Sequence, residues 1–158
     1  MNERPQTSEA GFLPEGEVHS YESYLAQYGS LTYRNKGVSM LPLLKEGRDL
    51  FTVEPRPEAR CRKYDVVLYR RPPDQYVLHR IIRVRDRDYV ILGDNCVNRE
   101  YGVTDDDIVG VMTSFVRKGR TYSVEDWRYR LYSRVLCALQ PLRILLYRVK
   151  RFVRKRLK

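Results

Sequence analysis

The hydrophobic pattern turns from strand-like to helical close to residue 122, and that change limits what the chain can fold into. From residue 30 to 120 the apolar residues come in short runs: SLTYRN, LFTVEP, DVVLYRR, YVLHRIIRVR, DYVILG and IVGVMTSFVR. These runs are rich in β-branched and aromatic residues, and Gly, Pro and Asp clusters such as RPPDQ, RDRD and GDN separate them. Short runs bounded by turn residues, with no long helical segment between them, are the signature of an antiparallel, partly coiled β-domain. From Ser123 onward Leu131, Val135, Leu139, Leu142, Leu145, Val149 and Phe152 recur at three- and four-residue steps, which predicts a helix. Ser123-Val-Glu-Asp reads as its capping sequence, and Pro141 is expected to kink or divide it.

One more helix is expected near the start. Ser20 is a plausible N-cap for YESYLAQY, and Gly29 closes it. Tyr21, Tyr24, Leu25 and Tyr28 form a stripe suited to packing on the domain. The chain thus divides into a polar lead (1–19), a mainly β domain (20–122) and a helical tail (123–158), within a length of 158 residues that suits one domain.

The net charge of +10 is unevenly placed. Between Arg128 and Lys158 there are eleven basic residues and no acidic one, which leaves −1 for the first 127 residues. Any anionic partner is therefore localised to the tail. An interfacial amphipathic helix on an anionic membrane surface is the leading reading, with Leu, Val and Phe inserted and Arg and Lys at headgroups. Nucleic-acid binding through phosphates and plain packing of the apolar side are the lesser alternatives. The lead lacks the basic and apolar regions of a signal peptide, and no apolar run approaches a membrane span, so a cytoplasmic or peripheral-membrane location is expected. Cys61, Cys96 and Cys137 are odd in number and far apart, without Cys/His clustering. Neither a disulfide framework nor a metal site is expected, and no cofactor is implied.

Three segments carry chemistry. GVSMLP (37–42) presents Ser39 between small and apolar residues, and YVLHRIIRV places His79 within the strongest strand signal. In strict alternation Val77, His79 and Ile81 share one face, while Leu78, Arg80 and Ile82 share the other. ILGDNCVNRE (91–100) ends a strand in a Gly-Asp-Asn turn that presents Asp94. A serine is a poor nucleophile unless a base accepts its proton, and a carboxylate orients that base and stabilises the imidazolium. A lone histidine, serine or GDN turn is commonly structural. The three in this order are the parts of a nucleophilic hydrolase.

Their order and setting resemble a known family. GVSMLP, YDVVLYR (64–70), VLHRIIRV (77–84), GDN (93–95) and DIVGVM (107–112) are similar to the successive boxes of the type I signal peptidases, a superfamily that includes the self-cleaving SOS-response repressors. HRI at 79–81 resembles the histidine-type branch of the endoplasmic-reticulum and sporulation enzymes. The resemblance spans about residues 31–116. It implies a coiled β-fold with the catalytic serine on a strand edge, Ser39 as nucleophile and His79 as general base. Asp94 matches an acidic position of that branch; the spacing of a second acidic position falls on Glu100, and Asp94 is favoured to assist His79. The family's oxyanion serine is replaced by Gly37, so the donors would be backbone N–H groups near Val38 and Ser39. Pro42, lacking an N–H, suits a strand ending there.

The expected function is therefore a serine endopeptidase acting on a signal- or leader-type peptide, held at a membrane surface by its tail. A non-catalytic module of the same fold, binding peptides or nucleic acid, is the alternative.

Overall fold

A computed structural model describes residues 20–156, with the side chain of Lys155 excepted. The lead and His19 lie outside the described residues. A short helix, α1 (Tyr21–Tyr28), precedes eight strands: β1 (Leu31–Arg34), β2 (Leu50–Pro55), β3 (Val66–Arg71), β4 (Gln75–Val84), β5 (Tyr89–Leu92), β6 (Glu100–Val103), β7 (Ile108–Arg117) and β8 (Arg120–Ser123). A single 3₁₀ turn (Asp105–Asp107) leads into β7, and a long helix, α2 (Trp127–Arg156), closes the order.

The local chemistry explains most of these boundaries. Ser20 caps α1 by accepting the Ser23 N–H at 3.2 Å, and Gly29 ends it in the left-handed region at φ 74°. Leu25 is buried and Tyr21 and Tyr24 pack on the core, but Tyr28, expected in the same stripe, is exposed. β7 turns into β8 through Lys118 and Gly119, both with positive φ, and Arg117 pairs with Arg120 across this two-residue turn. That is the turn geometry whose twist suits a tight hairpin.

Every strand pair is antiparallel, in the order β1-β2-β7-β3-β4-β5-β6. One side of β7 pairs with β2; the other pairs with β3 near its start and with β8 near its end. Register shifts at Thr52/Val53, Leu68/Tyr69, Ile81/Arg83 and Tyr89/Ile91 bend the sheet. It is consequently covered on both faces. Val66, Leu68 and Leu78 enter one cluster with Met40, Leu43, Leu44 and Phe51. Val67, Tyr69, Ile81, Tyr89 and Ile91 enter a second. This is why β3 reads as an unbroken apolar run and not as an alternation.

α2 departs from expectation in three ways. It begins at Trp127, not at Ser123, which ends β8; Asp126 supplies the cap by accepting the Arg128 N–H at 2.8 Å. Pro141 does not divide it: one helix runs through that residue. Most telling is which face meets the domain. Tyr129, Ser133, Leu136 and Gln140 are buried. Leu131, Val135, Leu139, Leu142, Leu145, Val149 and Phe152 are each about half exposed. At roughly 100° per residue the two stripes lie on opposite sides of the helix. The helix docks through a largely polar stripe and turns its apolar one outward.

Candidate active site

The reason for a polar docking stripe is Arg80. Alternation along β4 sends His79 to one face of the sheet and Arg80 to the other, where Arg80 is completely buried. Its Nε and Nη2 donate to Asp94 Oδ1 and Oδ2, each at 2.8 Å. Nη1 donates to the Tyr64 carbonyl at 3.0 Å, the Tyr129 hydroxyl at 3.1 Å and Ser133 Oγ at 2.8 Å. Tyr132 in turn donates to Asp94 Oδ2 at 3.1 Å, and Arg143 donates to the Asp94 carbonyl. Burial works against the Arg80 charge, and Asp94 more than offsets it, holding the guanidinium firmly protonated. A buried charge survives only when paired and hydrogen-bonded in this way. α2 thus clamps the Gly93-Asp94-Asn95 turn to the sheet.

That turn reaches the serine segment on its other side. The Asn95 N–H donates to the Ser39 carbonyl at 2.7 Å, and Asn95 Nδ2 donates to the Val38 carbonyl at 3.2 Å. Gly93 is where the pieces converge. A Cβ built on it would lie 2.7 Å from Cys96 Sγ, 2.8 Å from the Ser39 carbonyl oxygen and 2.9 Å from His79 Nε2. Only glycine admits so close an approach of the three.

His79 is 5% exposed. Its Nδ1 lies 3.1 Å from Glu100 Oε1 and 3.3 Å from the Tyr69 hydroxyl, which donates to Glu100 Oε2 at 2.7 Å. Tyr69 and Arg71 share His79's face of the sheet because Val67 pairs with His79. Glu100 enters from β6, beside β5. With Nδ1 facing a carboxyl and a hydroxyl acceptor, Nε2 is left as the free base. Burial pushes the ring below the usual histidine pKa, opposed by Glu100 and reinforced by Arg71. Burial and the Glu100 acceptor keep Tyr69 protonated, as a donor. Cys96 Sγ lies near Nε2 as well, but burial and Glu100 raise its pKa and hold it as a thiol.

Ser39 does not lie on a strand edge. β1 ends at Arg34, and Ser39 sits in a turn between β1 and β2, where Leu41 N–H reaches the Val38 carbonyl and Leu44 N–H reaches that of Met40. Buried Met40, Leu43 and Leu44 root this turn in the core, so Pro42 closes no strand. Gly37 adopts φ 78°, and its N–H is taken by Glu46 at 2.8 Å. Among the described residues the N–H groups of Val38 and Ser39 have no hydrogen-bond partner. No hydrogen bond joins Ser39 Oγ to His79 either.

Of the residues singled out in the sequence, Ser39, His79 and Glu100 line one open cleft of about 890 Å³. Asp94 is turned to Arg80 on the other face, and Glu100 is the carboxyl beside the ring. Arg71, Asn95, Cys96, Asn98, Arg143 and Tyr147 also line the cleft and were not legible as site residues. Asn95 alone had a signal, as the last residue of GDN. Among the described residues no group of His, Cys, Asp and Glu is placed to hold a metal, and no helix is long and apolar enough to cross a membrane. No family model matches the chain, and comparison with curated proteins and with solved structures found no match.

What the geometry defines is a mainly antiparallel β protein with a histidine-centred cleft at one end of its sheet. A C-terminal helix walls that cleft.

Proposed function

We propose that the chain is a serine endopeptidase of the signal-peptidase-like, histidine-type kind, cleaving a signal- or leader-type peptide. The observation that carries this reading is the convergence at Gly93. Three segments, the serine turn, β4 and the Gly93–Glu100 stretch, bring Ser39, His79 and Glu100 to one cleft, with the ring's Nε2 free and its Nδ1 faced by Glu100. In the reaction Ser39 Oγ attacks the peptide carbonyl while His79 Nε2 takes its proton. The Val38 and Ser39 N–H groups meet the developing oxyanion. The imidazolium, steadied by Glu100 and Tyr69, then gives its proton to the leaving amine. Water, activated by the same nitrogen, releases the acyl group. An extended substrate would lie beside β6, which ends the sheet next to the cleft and carries Glu100.

The outward apolar stripe of α2 supports attachment to an anionic membrane surface. Leu139, Leu142, Leu145 and Phe152 face away from the domain, with Arg148 and Lys150 on the flanks and Arg151 and Arg154 on the opposite side of the helix. That division is the arrangement of an interfacial helix.

The absence of a Ser39–His79 hydrogen bond among the described residues favours a second reading, a non-catalytic peptide-binding module. Incubation of wild-type and Ser39→Ala chains with candidate precursor peptides separates the two: cleavage by wild type alone is expected of the peptidase, and cleavage by neither or by both rejects it.

A further inference from the structure

The cleft holds more positive charge than its chemistry uses. Arg71, at the end of β3, and Arg143, on α2, both line it. Glu100 is the acidic residue among the lining side chains, and His79 and Tyr69 already engage it. Asp94 cannot contribute, because it is fully buried against Arg80. Arg71 Nη1 reaches Glu100 Oε2 only at 3.7 Å, beyond a hydrogen bond, and its Nε is buried without a partner. Arg143 spends one N–H on the Asp94 carbonyl. Two guanidiniums therefore line the cleft with N–H groups that no acceptor among the described residues takes up. The imbalance grows when His79 takes up the serine proton, which adds a further positive charge beside Arg71.

Guanidinium groups recognise carboxylates through paired N–H donors, and a cleft with low-dielectric walls concentrates their field. We propose that the cleft selects peptides carrying an Asp or Glu side chain close to the scissile bond, read by Arg71 and Arg143. The place of that side chain beside a scissile bond rests on the peptidase reading; the carboxylate preference itself does not. Such a side chain satisfies the spare donors of both arginines. It also offsets the charge on His79 at the moment the imidazolium forms. Arg143 gives α2 a direct part in substrate choice, beyond its clamp on Asp94.

The test measures binding, on the full chain carrying Ser39→Ala so that nothing is turned over. Alanine-based decapeptides, acetylated and amidated at their ends, carry one Glu or one Gln at matched positions. Titration into the ¹⁵N-labelled protein at fixed salt yields dissociation constants from the shifts of the Asn95, Asn98 and Glu100 amides. At the best position the Glu peptide is expected to bind at least fivefold more tightly than its Gln partner. That ratio should collapse toward one in Arg143→Gln, and independently in Arg71→Gln, where the side chain is substantially exposed and its loss spares the core. Arg151→Gln, on the distal tail, should leave the ratio unchanged. Equal affinities for the two peptides would overturn the proposal, as would a preference that survives both cleft variants or disappears in Arg151→Gln. A chain that binds Glu peptides selectively but never cleaves them would refute the peptidase reading and leave the selectivity intact.

Discussion

Arg80 and Asp94 form a two-pronged ion pair with no solvent exposure on either side chain, and they tie the candidate site to a helix about 40 residues further along. Removing one partner strands the other charge in the interior. Asp94→Asn is expected to cost about 3–5 kcal/mol, the scale for breaking a buried pair. Urea denaturation measures it. The loss should be far larger than for substitution of an exposed pair such as Arg85–Asp88. Similar losses at the two sites would mean that Asp94 does not hold the fold together.

Gly93→Ala should separate structure from chemistry. The added methyl meets a backbone carbonyl, a ring nitrogen and a sulfur, each inside 3.0 Å, so Ser39 and His79 must move apart. A stability cost of about 1–3 kcal/mol is expected from overpacking. Reactivity of Ser39 should fall much further than that cost accounts for. Thermal melts and serine-labelling rates on the same preparation compare the two, and an unchanged labelling rate would show that the convergence at Gly93 has no catalytic meaning.

The pH dependence follows from the groups around His79: Glu100 from β6, Tyr69 and Arg71 from β3, and Asp94 and Cys96 from the turn. Burial lowers the ring's pKa from its usual 6.5, with Glu100 opposing and Arg71 adding to the fall. The neutral ring is the active base, so Ser39 labelling should rise with pH through an apparent pKa below 6.5 and then level off. Removing the negative partner in Glu100→Gln should move that midpoint lower still and slow labelling on the order of a hundredfold. Arg71→Gln should move it upward. Shifts of the opposite sign would place the titrating group elsewhere.

For the tail, the exposed stripe makes a specific forecast. Leu142→Asp with Phe152→Asp removes two apolar side chains that the domain does not use, since each is more than half exposed. The doubly substituted chain should fold normally by circular dichroism. Its flotation with phosphatidylserine-containing vesicles should drop by tenfold or more, given about 1.5–3 kcal/mol for each large apolar side chain buried. Undiminished flotation would remove the membrane from the account.

Much of the fold was legible because local chemistry governs it. Ser20 and Gly29 mark both ends of α1, and six apolar runs became β1 to β5 and β7. β6 and β8 were not legible: EYGV and RTYS are short, mostly exposed and largely polar, and exist because a neighbour supplies their hydrogen bonds. Ser39 and His79 were readable as residues. The setting of Ser39 was not, because burial of Met40, Leu43 and Leu44 folds a compact turn where Pro42 suggested a strand end. The choice between Asp94 and Glu100 depended on pairing across three strands, which no local pattern encodes. The tail's period was plain, but its orientation was not. A buried Arg80 demands polar partners, and Tyr129 and Ser133 answer that demand from one side of α2, turning its leucines outward.

The central claim is that His79 activates Ser39. Treatment of the full chain with a fluorophosphonate, followed by peptide mass spectrometry, addresses it most directly. A single adduct on Ser39 is expected, formed at least a hundredfold more slowly in His79→Ala while the fold is retained. An unmodified Ser39, or equal rates in the presence and absence of the His79 ring, would contradict the account.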